Sequence, residues 1–158
     1  MIRSISIFAI VILYLGALSA FGQGKPAWIN DIETAIKQKE PTFVIGDRRI
    51  TENLSAFSER LVLNKGGVTG LVDITTYTVL SNPEETFDGL VEIENNVHAN
   101  VKGTKIADLG DAAYIWAGKN ADNFATINFK KGKTFVRISL PGKATALRFA
   151  KLIESHIP

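Results

Sequence analysis

The sequence contains no cysteine. That excludes disulfides, thiolate-bound zinc, iron–sulfur clusters, a thiol nucleophile and lipid attachment at cysteine. Histidine is scarce as well. His98 and His156 stand far apart, and no His-x-x-x-His pair exists, so a His-rich metal site and a metal cofactor have no support. A Gly-x-Ser-x-Gly nucleophile elbow is missing. Internal repeats and low-complexity tracts are missing too. What remains is a chain of 158 residues, 46% hydrophobic and 22% charged. That is the length of one domain and the composition of a globular one. It excludes a disordered tail, a collagen-like fibre and a multi-span membrane protein.

Charge is nearly absent from residues 1–22, where Arg3 stands alone. After it runs an apolar stretch from Ile5 to Leu15, then small residues at Gly16, Ala17, Ser19 and Ala20. A basic start, a short apolar core and a small-residue exit make a secretory signal peptide. Signal peptidase requires small side chains at the first and third positions before the cut. Ala20-Phe21-Gly22 meets that rule, which predicts cleavage before Gln23. A spanning anchor would need about 20 apolar residues, and this run is about half as long. The expected product is a single domain, Gln23–Pro158, periplasmic or secreted, with no stable membrane span after cleavage.

The apolar spacing predicts an alternating series of elements. Trp28, Ile29, Ile32 and Ile36 lie on one face of a helix over Trp28–Glu40, which Pro41 ends. Thr42–Ile45 reads as a short strand, followed by a turn at Gly46-Asp47. Glu59–Leu63 and Val68–Leu80 read as a hairpin across Asn64-Lys65-Gly66-Gly67. The apolar phase of the second strand changes between Ile74 and Tyr77, which predicts a bulge or a strand covered on both faces. Asn82-Pro83-Glu84-Glu85 is a helix start, with a capping Asn and Pro at the first helical position. Phe87, Leu90 and Val91 give that helix an apolar stripe. Tyr114-Ile115-Trp116 is a strand after the turn Leu109-Gly110-Asp111. Phe124–Phe129 and Thr134–Leu140 alternate with a period of two across Lys130-Lys131-Gly132-Lys133. Ala144–Ser155 is a final helix that buries Ala146, Phe149, Ala150 and Ile153. The order α-β-β-β-α-β-β-β-α, with hairpin connections, predicts an α+β fold: two layers, a mainly antiparallel sheet packed by helices.

Few residues suggest chemistry. Gly132-Lys133-Thr134 ends like a phosphate-binding loop, but Ile127 stands where the motif needs its first Gly, and the segment lies between strands. Asp108 and Asp111 flank a turn, where aspartates commonly bond backbone amides. Asn53-Leu54-Ser55 matches a glycosylation acceptor. Charge is unevenly spread. Residues 23–117 hold 9 basic and 14 acidic side chains, a net of −5, while residues 118–158 hold 8 and 2, a net of +6. The helix Glu84–Glu94 is wholly acidic in its charges. The final hairpin carries Lys130, Lys131, Lys133 and Arg137. Either these two segments pair internally, or the hairpin offers a basic face to an anionic partner. Nucleic acid is not an expected partner of an exported protein.

The segment Asp108-Leu109-Gly110-Asp111-Ala112-Ala113-Tyr114-Ile115-Trp116 resembles a turn-into-strand signature of small exported bacterial domains. Those are the extracellular sensor-type and lipoprotein domains of α+β, cystatin-like shape, with a Leu-Gly-Asp-x-Ala-Tyr turn. A Lys-Gly hairpin and a terminal Ala-rich helix follow in the pattern, matched here by Lys131-Gly132 and Ala144–Ile153. The resemblance covers the C-terminal third, and Asp108 stands where such domains often have Gly. It implies an exported, non-enzymatic domain and assigns no functional residue. The sequence reading is therefore a binding or interaction module of the cell envelope. A small or apolar ligand would lie between sheet and helix, with Tyr77, Tyr114 and Trp116 as wall residues; Tyr114 and Trp116 share one strand face, opposite Ile115, and are core instead if a helix covers it. The alternatives are an adhesion or assembly protein using the basic C-terminal face, and a hydrolase built on Asp108, Asp111 and a histidine.

Overall fold

The computed structural model describes residues 25–98, 101–118 and 124–158. The segment read as a signal peptide, residues 1–22, lies outside them. Among the described residues, three helices and seven strands form in the order α1 (Ala27–Lys39), β1 (Val44–Glu52), β2 (Ala56–Lys65), β3 (Val68–Tyr77), α2 (Pro83–Val97), β4 (Thr104–Lys105), β5 (Ala112–Ala117), β6 (Phe124–Lys131), β7 (Thr134–Pro141) and α3 (Lys143–Glu154). The strands make one antiparallel sheet in the order β1-β2-β3-β7-β6-β5-β4. The fold is α+β, a sheet packed by helices.

Period-two alternation decides what each sheet face meets. Leu61, Leu63, Val72, Ile74, Ile127, Phe129, Ile138 and Leu140 point to one face and are buried. Helices α1 and α3 cover that face. Ile29, Ile32 and Ile36 come from α1, and Ala146, Phe149, Ala150 and Ile153 from α3. The two small alanines let α3 approach the sheet closely. The Phe149 ring meets the Phe43 ring edge-on, with centroids 5.0 Å apart. Each such large apolar side chain contributes roughly 1.5–3 kcal/mol when fully removed from water.

The opposite face is crossed by α2, which adds a partial third layer to the two expected from the sequence. Asn82 caps α2 by accepting from the Glu85 N–H at 3.2 Å, with Pro83 in the first turn. Only Phe87 and Glu94 of α2 are buried; Leu90 and Val91 are half-covered and Ile93 is exposed. The helix therefore stands partly clear of the sheet. This also resolves the phase change in β3. Its pairing with β2 runs without a shift from Val68 to Tyr77, so no bulge is present. Val72 and Ile74 face α1 and α3, while Tyr77 faces the α2 side and meets Phe135 edge-on at 5.2 Å.

Gly46-Asp47 is a bulge inside β1, where the pairing register with β2 shifts between Ile45 and Arg48. The expected strand-turn is thus one nine-residue edge strand. Beside it, Glu59 of β2 points into the α1 side and is almost fully buried. It pairs with Lys25 at 3.3 Å and with Arg48, which also reaches Glu33 at 3.5 Å. These charges seal the rim between α1 and the sheet edge. The hairpins close on Gly66-Gly67, with φ of 57° and 80°, and on Gly132, with φ of 57°.

Candidate functional site

Between α2 and the sheet runs a groove of about 460 Å³. Its existence follows from the incomplete docking of α2. Phe87 anchors the helix against Phe135, with ring centroids 5.9 Å apart. Beyond that anchor, Leu90 and Ile93 wall the groove rather than filling it.

The floor is set by strand register and changes along the strands in rows. One transverse row runs Arg49 on β1, Arg60 on β2, Asp73 on β3, Arg137 on β7 and Asn128 on β6, each directly opposite the next. The next row is Thr51, Ser58, Thr75 and Phe135. Tyr77 follows. Successive rows are about 7 Å apart, twice the rise per strand residue. Ser58 and Thr75 share a hydroxyl hydrogen bond of 3.0 Å. The groove is thus ionic at one end, hydroxylic in the middle and aromatic at the other.

The ionic row is unevenly neutralised. Arg60 donates through Nε and one η nitrogen to both Asp73 oxygens, at 2.5 and 3.1 Å, which raises its pKa above the usual arginine value. Arg137 donates only Nε, to Glu94 at 2.5 Å. Arg49 is exposed, with no ion-pair partner among the described residues. Asn128 is buried, and its Oδ1 has no hydrogen-bond partner among the described residues. An amide oxygen left so costs about 1–3 kcal/mol unless a donor arrives.

Of the three residues expected as ligand walls, Tyr77 lines the groove. Tyr114 and Trp116 lie under the other flank of α2 and do not. Trp116 is 1% exposed, and its Nε1 donates to Asn95 Oδ1 at 2.9 Å. Its ring stacks with His98 at 6.2 Å and touches Gly103, where a Cβ would meet it at 2.7 Å. Trp116 is a packing residue because a helix covers its face of β5. Tyr114 is half-buried between Trp116 and Phe87.

The basic hairpin residues are dispersed rather than gathered. Lys130 is buried and pairs with Glu84 of α2 at 2.6 Å. That hydrogen bond, with one from a backbone N–H, holds Glu84 below the ordinary carboxylate range. Arg137 pairs with Glu94. Lys131 turns to the other face and donates to the carbonyls of Ile157 and Glu154 at the end of α3. Lys133 alone is exposed, reaching toward the Thr78 carbonyl at 3.5 Å. The acidic helix and the basic hairpin therefore complement each other within the molecule.

Asp111 accepts from the Gly132 N–H at 2.7 Å, tying its turn to the β6–β7 turn. Neither His98 nor His156 is bonded to Asp108 or Asp111. His98 Nε2 lies 3.2 Å from Glu94, and His156 Nδ1 lies 2.8 Å from the Leu152 carbonyl. Among the described residues no three His, Asp or Glu side chains form a metal-sized cluster. Asn53 of the glycosylation motif accepts from the Ser55 and Ala56 N–H groups, closing the β1–β2 turn. Among the described residues no helix is long and apolar enough to cross a membrane.

Sequence reasoning missed Arg49, Arg60, Asp73, Asn128 and Ile93. The polar positions of β2 and β3 do alternate with the core positions, which marks a second face. Their alignment into one row needs the strand register, which spacing within a strand does not carry. No protein-family model, curated protein or solved structure matches the chain.

Proposed function

We propose that this chain is an exported, non-catalytic binding module that holds a small amphipathic ligand in the groove between α2 and the sheet. The groove carries the proposal. It is within the size range of small-molecule sites, with an apolar wall and a few convergent polar groups. Export rests on the pattern of residues 1–22, and the envelope as its destination is consistent with the resemblance of the Asp108–Trp116 segment. The adhesion reading has less support, because Lys130 and Arg137 already pair with α2 carboxylates.

The test is native mass spectrometry on the protein purified from its own host. The expected result is a native mass above the denatured mass by one small molecule, and loss of that adduct in Leu90→Asp. Leu90 is half-covered, so the charge reaches the groove without entering the main core. A native mass equal to the denatured mass, or an adduct that Leu90→Asp retains, counts against the groove.

A further inference from the structure

The row of ionic side chains on the groove floor defines the charge of its occupant. Arg49 and Arg60 lie directly opposite each other on β1 and β2, a like-charge pair that disfavours the sheet unless countered. Asp73 is the single carboxylate on the floor row, and both its oxygens are taken by Arg60. Farther along, Arg137 spends Nε on Glu94 and keeps its η nitrogens, since a guanidinium has five donors. The row thus holds three guanidiniums against Asp73 from the floor and Glu94 from the helix. The excess is one positive charge at the groove mouth, at Arg49.

A second observation is independent of that charge. Asn128 ends the same row, is 4% exposed, and keeps a buried oxygen with no partner while lining the groove. An amide oxygen left in that state favours any donor that can reach it. The apolar wall, Leu90 and Ile93 with Tyr77 and Phe135 beyond, provides for a hydrocarbon body.

We infer, resting on the proposed binding role of the groove, that its ligand is a small amphipathic anion. Its acidic head lies at the Arg49 end of the ionic row, and its apolar body lies along α2. Arg49 selects for charge because it is the groove cation without an ion-pair partner among the described residues. Guanidinium suits a carboxylate head, offering two parallel N–H donors to its two oxygens.

The test titrates octanoate and 1-octanol separately into the full protein, followed by the methyl resonances of Leu90 and Ile93. Octanoate is expected to shift both methyls and to bind about tenfold more tightly than 1-octanol, as a charge-assisted contact would give. Arg49→Gln is expected to abolish that preference and leave 1-octanol unchanged, and Arg49→Lys to restore part of it. Arg49 is exposed on an edge strand, so these variants keep the fold. Equal binding of both probes, unaffected by Arg49→Gln, would overturn the anionic assignment while leaving the groove as an apolar site. Failure of both probes to shift the Leu90 and Ile93 methyls would overturn the groove reading and this inference with it.

Discussion

At Gly110 the backbone turns through φ of 57°, and a Cβ there would run into the Lys130 carbonyl. Gly132 has the same φ but open space around it. The pair separates two costs that are usually confounded. Gly132→Ala carries only the left-handed penalty, about 1 kcal/mol. Gly110→Ala adds a collision with backbone and is expected to cost more than about 2 kcal/mol. Urea unfolding of the two variants checks this, and equal losses would mean that the Asp108–Asp111 turn yields freely. The turn was readable in the sequence, as was the amide-bonding role of Asp111. The amide it bonds, Gly132 N–H, is 21 residues away and depends on how β5 lies against β6. Alternation with Ile115 places Trp116 on the second face of β5, which is core where a helix covers it, and α2 supplies that cover.

Among the elements, α2 is held largely by charge. Its apolar stripe is thinly buried, and Glu84 and Glu94 tie it to Lys130 and Arg137. Glu84 is held below its ordinary value of 4.5, chiefly by the Lys130 hydrogen bond. A carboxylate with a lowered folded pKa contributes stability above its ordinary value and loses it as pH falls through the folded one. Glu33, lowered first by its hydrogen bond from Lys37, acts in the same direction. The urea midpoint is therefore expected to stay level from neutral to mildly acid pH and to fall below 4.5. Glu84→Gln should lower the midpoint at neutral pH, because buried Lys130 loses its partner, and should flatten part of the acid decline. An acid slope identical to that of the unsubstituted protein would show that α2 is not docked through this pair. The start of α2 was legible because Asn82, Pro83 and Glu85 act locally. Its standing clear of the sheet was not, since Leu90 and Val91 look like core residues by spacing alone. Likewise, Gly46-Asp47 has the composition of a turn, and only pairing with Leu61 and Leu63 makes it a bulge.

Across the whole molecule, the two sheet faces divide the work. The face under α1 and α3 is a closed apolar core, interrupted at one rim by Glu59 and its cations. The face under α2 is open, graded from arginines through hydroxyls to Tyr77, and half roofed. Stability belongs to the first face, and binding is proposed for the second. The sheet of hairpins and the Ile- and Ala-rich faces of its covering helices were readable because core positions repeat at the strand and helix periods. The graded floor was not, because it assembles from five strands whose relative register only the folded chain defines. The uneven charge of the two halves was visible in the sequence; it resolves into Glu84–Lys130 and Glu94–Arg137, while Arg49 is the groove cation with no ion-pair partner among the described residues.

On the proposed reading, small molecules enter beneath α2. The most direct measurement maps amide and methyl shifts of the isotope-labelled protein against fractionated small-molecule extract of its host. The expected shifts are confined to one face and one helix: Thr75 and Tyr77 on β3, Leu90 and Ile93 on α2, and Arg49 on β1. Shifts centred on the Lys131–Lys133 turn, or no shifts with any fraction, would contradict it.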